Sequence, residues 1–455
     1  MKGMTQGERK ATTALASIFA LRMLGLFMII PVFAIYGKAL TGATPALIGL
    51  AIGIYGLTQA ILQIPVGLLA DRINRKNLII AGLLLFAVGG AVAALSTTIQ
   101  GVILGRAIQG SGAISAVVMA LLADLTREEQ RTKAMSTIGM SIGLSFAVAF
   151  ILGPLVAAHF GLSGLFWATS ILAILGLALL RIVPQPTIIL KQHTDSYWQQ
   201  FRQCVVHPEL LRLNIGILIL HLVMTASFVL LPHLLIDYAH LAANQHGWVY
   251  LPIVLGGFIA AVPAIIIAEK KQKIKSVFVF GIGLLMASLM VLAQGYSHYV
   301  SLLVGITLFF IAFNLLEALL PSLLSKIAPA GSKATAMGIY SSSQFFGAFL
   351  GGVCGGILWG NHNIQMAYWL LVACALLWLI VASFMRPPRF LHSLMLTILP
   401  CNNTQAAALL TQLNTVQGVE EAVVLAQEGC VYLKVDKSTL NEAALQDIML
   451  LAKAT

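Results

Sequence analysis

Twelve apolar stretches, each about twenty residues or longer, follow one another between residues 12 and 386. A run of roughly 18 or more apolar residues can cross a hydrocarbon core of about 30 Å as a helix. Inside lipid every backbone N–H and C=O needs an internal partner, so only helices and closed barrels cross. Barrel strands need about 9–11 residues and alternate in polarity, and these stretches do neither. Helices are therefore predicted over 12–37, 46–70, 77–96, 99–124, 133–158, 163–183, 212–236, 247–268, 275–295, 299–325, 333–358 and 364–386. Composition agrees: 59% of residues are hydrophobic and 9% charged, against about 45–50% and 25% in soluble domains. The first stretch contains Arg22 and is too long for a cleavable signal peptide, so it reads as a retained span.

Charge predicts orientation. Lys2, Arg9 and Lys10 precede span one, and every second loop is basic: Arg72, Arg75 and Lys76; Arg127, Arg131 and Lys133; Arg181 to Arg212; Lys270 to Lys275; Lys326 and Lys333; Arg386 and Arg389. The alternate loops hold only Lys38. The positive-inside rule puts the basic loops and both termini in the cytoplasm. It also explains the net charge of +11, since residues 1–390 carry 24 Lys/Arg against 10 Asp/Glu and residues 391–455 carry 3 against 6. No nucleic-acid partner is expected.

Four units follow: a six-span half over 1–183, a linker over 184–211, a second six-span half over 212–390, and a small domain over 391–455. The linker is polar, with an amphipathic segment "SYWQQFRQCVV" suited to an interfacial helix. The halves look duplicated. "PVGLLADRINRKN" from Pro65 aligns with "PAIIIAEKKQKIK" from Pro263, pairing Asp71 with Glu269. "KAMSTIG" from Lys133 resembles "TAMGIYS" from Thr335 at nearly the same offset. Six-plus-six duplication is one transporter pattern. From residue 392 the periodicity becomes β-α-β-β-α, with helices at 403–415 and 438–453, a split β-α-β of ferredoxin type without its last strand. Its open sheet edge suggests a protein partner or self-association.

The chemistry-bearing residues are few. The five cysteines form no C-x-x-C pair, and Cys401 has no second thiol near it, so no metal or cofactor is expected. No phosphate loop or nucleophile triad appears, which argues against an enzyme. An ionisable group within a span costs at least about 2.5–3.5 kcal/mol on the insertion scale, so each is a functional candidate. Arg22 lies mid-span and suits a cavity. Arg106 suits a cavity or a structural role capping carbonyls. His221 is a packing histidine or a proton carrier. His233 and Asp237 lie near a span end and read as solvated. Asn314 and Glu317 share a helix face. Tyr55, Gln59 and Gln63 on span two, with Tyr340 and Gln344 on span eleven, are either interhelical glue or cavity lining.

One loop is more specific. Gly67-x-x-x-Asp71-Arg72-x-Asn74-Arg75-Lys76 resembles the signature loop of the major facilitator superfamily. Asn74 stands where that family has glycine; Asn tolerates left-handed backbone, so the turn is expected to survive. In span four "ILGRAIQGSGA" matches a second signature through Arg106, Gln109, Gly110 and Gly112. In span five Gly153-Pro154 matches a third, associated with antiporters that export drugs, although Ala157 and Ala158 replace its paired glycines. With its tail, the chain is similar to bacterial members that append a ferredoxin-like domain.

The resemblance implies an all-α twelve-helix membrane fold of two pseudo-symmetric six-helix halves plus a small α+β cytoplasmic domain. It implies an inner-membrane secondary transporter working by alternating access, with protons and a small molecule as partners besides the lipid bilayer. Asp71 would dock on the positive N-terminus of span eleven near Ser332 and latch the cytoplasmic side. Arg75 would pair with Asp124, and Glu317 would join that network. Proton-coupled export of amphipathic compounds is the leading reading. Import of a polar or anionic solute, favoured by Arg22 and Arg106, and signalling through the tail stay open.

Overall fold

The computed structural model describes residues 4–70, 73–184, 197–329, 332–361, 363–387, 392–399, 402–425, 429–436 and 439–454. Span one is the helix Gln6–Tyr36. Thr5 starts it with a capping box, accepting from the Glu8 amide while Glu8 accepts from the Thr5 amide. Spans two and three are Pro45–Leu69 and Arg75–Leu95. Spans seven to ten are Pro208–Asp237, His246–Lys270, Ile274–Gly295 and Tyr299–Ile327. Spans eleven and twelve are Lys333–Gly360 and Ile364–Ser383. The amphipathic linker segment is the helix Tyr197–Val206, which buries Cys204 and leaves Trp198 exposed. We call the ends of the bundle basic and charge-poor, after their loops.

Two spans depart from expectation. Span four is not one helix: Ile99–Ser111 and Ser115–Asp124 flank unwound residues 112–114. A Cβ on Gly112 would lie 2.3 Å from the Gly82 carbonyl of span three, so only glycine lets the chain pass there. Spans five and six run as one helical stretch, Glu128–Leu180, turned at Gly161, whose φ of 65° and ψ of −166° break the helix. Among the described residues, ten segments are long and apolar enough to cross a membrane, and one of these, Lys133–Leu180, holds both spans. Span eleven completes the twelve; its length suffices, but Ser341 to Gln344 and its glycines dilute it.

Those glycines have a packing reason. In lipid, apolar area alone does not drive helices together, and small residues let backbones meet. Span eleven lies between spans two and seven. A Cβ on Gly49 would sit 2.2 Å from the Gly352 carbonyl, one on Gly53 2.7 Å from that of Phe349, and one on Gly56 2.5 Å from that of Phe345. On its other face Gly347 and Gly351 meet the Leu218 and Leu222 carbonyls equally closely. Span two thus joins the first half to the second along a glycine seam at the charge-poor end. A second seam is aromatic. Phe146 and Phe150 of span five enter the second half, where Phe150 packs against Phe228, Tyr250 and Phe310 at ring separations of 5.2–6.0 Å.

The tail has the expected element order. Strands β1 (His392–Thr397), β2 (Val419–Leu425) and β3 (Cys430–Val435) form an antiparallel sheet in the order β1-β3-β2. Helices Asn403–Thr415 and Glu442–Ala454 accompany it, and Leu413, Val431, Leu433 and Val435 form its core. β1 and β2 are the edges, so β1 has its outer side unpaired within the sheet.

The seam is testable through overpacking, which costs about 1–3 kcal/mol in a tight site. Gly49→Leu should raise cysteine labelling at the charge-poor end, because it separates the halves without disturbing either. Gly143→Ala, where a Cβ would meet nothing within 4 Å, should leave labelling unchanged.

Candidate functional site

The first polar cluster lies inside the first half. Arg22 is 1% exposed, so it lines no open cavity and faces no lipid. Its guanidinium donates to Tyr55 Oη, Gln59 Oε1 and the Gly112 carbonyl, each at 2.9 Å, and to Ser115 Oγ at 3.1 Å. The break in span four supplies the last two acceptors, since an intact helix would keep the Gly112 carbonyl for itself. Gln59 Nε2 donates on to Gln63 Oε1 at 3.1 Å. Among the described residues no carboxylate pairs with Arg22, and its Nε has no partner.

Arg106 plays the structural part of its two expected roles. It is buried, donates to the Ala51 carbonyl and to Gln109 Oε1, and lies 4.9 Å from the centre of the Tyr55 ring. Gln109 reaches Thr169 of span six. Gly110 lets span four press on span two: a Cβ there would lie 2.3 Å from the Tyr55 carbonyl. Gly153, just before Pro154 in span five, does the same against the Met28 carbonyl of span one at 2.6 Å.

The second cluster belongs to the other half. Gln344 Nε2 of span eleven donates to His221 Nε2 of span seven at 2.8 Å and to Glu317 Oε1 of span ten at 3.3 Å. His221 Nδ1 faces the Ile217 carbonyl at 3.3 Å, which fixes the neutral tautomer with Nε2 as acceptor. Glu317 Oε2 stands 3.9 Å from His221 Nε2, too far for a hydrogen bond, and has no partner of its own. The Tyr340 hydroxyl is also buried without a partner. Asn314, expected beside Glu317, instead donates to the Val254 carbonyl and ties span ten to span eight. The side chains of the two clusters approach through Tyr55 and Phe345, whose rings are 6.3 Å apart across the seam.

Among the described residues Glu317 is met by Gln344 and faced by His221, and not met by Arg75 or Asp124 of the loop network. That network lies at the basic end. Arg75 forms an ion pair with Asp124 and donates to the Ala70 and Ala120 carbonyls. Lys76 donates to the Val183 carbonyl. Asn74 has φ −53° and is not left-handed; its side chain accepts from the Lys76 amide and caps span three, which a glycine could not do. Gly67 lies near Ala116 of span four. Asp71 and Arg72 lie outside the described residues. Ser332 is buried at the start of span eleven, and its carbonyl accepts from the Cys204 thiol at 3.9 Å. In the second half the counterpart of Asp71, Glu269, accepts from Lys326 at 2.6 Å and from Ser322 at 2.7 Å.

Two contacts had no signal in the sequence. Glu8 accepts from the Arg127 amide at 2.9 Å and from its guanidinium at 2.8 and 3.0 Å, bolting span one to the loop before span five. His233, read as solvated, is 4% exposed and stacks on Trp359. Their only trace is position, because both partners in each pair fall at equal depth when spans are counted from their ends.

The Major Facilitator Superfamily model matches residues 15–343 and 256–394. The chain is 49% identical to the inner membrane transport protein YajR of Escherichia coli (strain K12), over 97% of this chain and 98% of that one. It is 27% identical to the quinolone resistance protein NorA of Staphylococcus aureus (strain MSSA476), over 74% and 87%. Among solved structures, a D-xylose-proton symporter superposes with a TM-score of 0.68 at 15% identity, covering 83% of this chain and 98% of that one.

Arg22 should be a keystone of the first half. Arg22→Met leaves buried acceptors unmade at about 1–3 kcal/mol each, so the melting temperature of the purified protein should fall clearly. Arg22→Lys, a point charge without the fork, should fall between.

Proposed function

Because the chain belongs to the major facilitator superfamily, we propose that this membrane transporter of small molecules exports amphipathic or drug-like compounds in exchange for protons. The basic end is cytoplasmic in this reading, following the positive-inside rule. The observation that carries the reading is Glu317. A carboxylate within a span, with one oxygen unpartnered and a neutral histidine 3.9 Å away, is costly unless it is used. Protonation lets it donate, so each protonation state favours a different arrangement of spans seven, ten and eleven. A ligand shifts a two-state equilibrium only through such differential contacts. The antiporter signature at Gly153-Pro154 and the relative named for quinolone resistance support export of drug-like substrates.

Arg22 carries a buried charge with only neutral partners, which favours a second reading: import of an anionic solute. A proton gradient separates the two. Inverted vesicles should accumulate a fluoroquinolone when acidified inside, and a protonophore should abolish the accumulation. Glu317→Gln should cut it at least about tenfold, a change of roughly one pKa unit's worth of coupling. Accumulation that ignores both the protonophore and Glu317→Gln would refute the coupling.

The latch is part of the same proposal. Asp71 would close the cytoplasmic side in the outward-open state by docking on the N-terminus of span eleven. A carboxylate at a helix N-terminus is stabilised by about 0.3–1 kcal/mol when exposed and up to ~2 when partly buried. Asp71→Asn should impair transport with little loss of protein, and should shift cysteine labelling towards access from the cytoplasm. Unchanged labelling would count against it.

A further inference from the structure

At the charge-poor end, span one and spans seven and eleven meet around one side chain. The His233 ring of span seven lies flat on Trp359 of span eleven, with centroids 4.0 Å apart and planes within 10°. Lys38, at the end of span one, donates from Nζ to His233 Nδ1 at 3.4 Å. The same ammonium lies 5.4 Å from the centre of the Trp359 ring, within cation–π range. The ring also faces the Ala34 backbone. One charged side chain of the first half is thus held by two rings of the second, directly beyond the glycine seam, where Pro45 and Gly360 touch. A cavity of about 270 Å³ opens beside it between Lys38, Pro45, Ile48, Val229, His233 and Trp359.

We propose that Lys38, His233 and Trp359 form an outer clasp that holds the halves together at the charge-poor end, and that a proton arriving on His233 from outside releases it. The clasp needs a neutral imidazole, because Nδ1 must offer a lone pair to the ammonium. A protonated ring has no lone pair there and sets a second positive charge at the same short distance. The surrounding charged and titratable groups do not offset this. They are Lys38 itself from span one, His246 from the start of span eight, and Asp237 one turn along the same helix. Among the described residues no carboxylate pairs with Lys38 or His233. Opening lets both cations hydrate separately. Lys38 and His233 are positioning residues: they set which state is populated. The proposal rests on alternating access and on the cytoplasmic placement of the basic end. It does not need Glu317 to be the coupling group.

The test is a distance measurement by double electron–electron resonance on the full chain in nanodiscs, with the native cysteines replaced. Spin labels at Gln100→Cys and Asn244→Cys report the separation of the halves at the charge-poor end. Between pH 8 and pH 5 the ratio of separated to closed molecules should rise about tenfold, the effect of a proton bound one pKa unit more tightly to the open form. With Glu317→Gln as the background, so that the acid of the proposed function does not titrate, His233→Gln keeps an acceptor that cannot be protonated in this range, and should remain closed at both pH values. Lys38→Met should separate already at pH 8, and Lys38→Arg should behave as the parent. Glu317→Gln, alone and together with His246→Gln, should keep the pH response. A response that survives His233→Gln in that background, or that disappears in Glu317→Gln alone or on adding His246→Gln, overturns the proposal. So does a Lys38→Met protein as closed as the parent at pH 8.

Discussion

A charge inside hydrocarbon has to be answered by protein, and that constraint organises this molecule. Arg22 and Arg106 are both about 1% exposed, and neither has a carboxylate beside it among the described residues. Apart from the Nε–H of Arg22, their polar contacts are to carbonyls, hydroxyls and amides instead. To supply them, span four gives up its own helical hydrogen bonding at residues 112–114, and span two offers Tyr55 and Gln59 from one face. The first half is tied together from within by these cations. In the second half the charge within the spans is a half-buried acid, and its answer is incomplete: Gln344 satisfies one oxygen of Glu317, and the other has no partner. One half leaves a single N–H of Arg22 unmet and the other a carboxylate oxygen of Glu317.

The halves touch through backbone more than through side chains. Gly49, Gly53 and Gly56 of span two meet carbonyls of span eleven at distances that exclude any Cβ. Such a contact is strong only at close range, since dispersion falls steeply with separation. A packed contact of this kind favours two discrete states, made and broken, over a continuum. The aromatic layer from Phe146 to Phe310 belongs to the same closure. Along spans seven and ten, His221 and Glu317 lie on the basic side of Phe228 and Phe310. The acid is thereby cut off from the charge-poor end while the seam is made.

Length and polarity sufficed to read the spans from the sequence, because a lipid solvent leaves so few alternatives. Most ends were within a few residues, and the largest slip, at span one, came from the polar first turns that Thr5 caps. The alternation of Val431, Leu433 and Val435 likewise revealed the tail's sheet. What remained hidden was three-dimensional. Gly112 was legible as part of a signature, but nothing local says that span four unwinds there or that Arg22 will take its carbonyl. Asn74 was read as a stand-in for a left-handed glycine, whereas its side chain found a capping role. The resemblance grouped Glu317 with Asp124, whereas Glu317 meets Gln344 and faces His221 within the second half. His233 looked wet because it lies near a span end, and only the meeting of spans one, seven and eleven buries it.

If the halves work by alternating access, the seam between spans two and eleven must part for the basic end to close. It can be locked chemically. A Cβ on Gly360 would lie 3.4 Å from that of Pro45, close to the separation of about 3.5–4.5 Å that a disulfide spans. The decisive measurement is the Ser136→Cys to Lys271→Cys distance at the basic end, read by a cysteine-selective spin-label pair introduced after Pro45→Cys and Gly360→Cys have been oxidised together. With the lock formed, the account predicts one long distance from pH 5 to pH 8. With the lock left out, a second, shorter distance must appear. Two distances in the locked protein, or one unchanging distance in both, would contradict it.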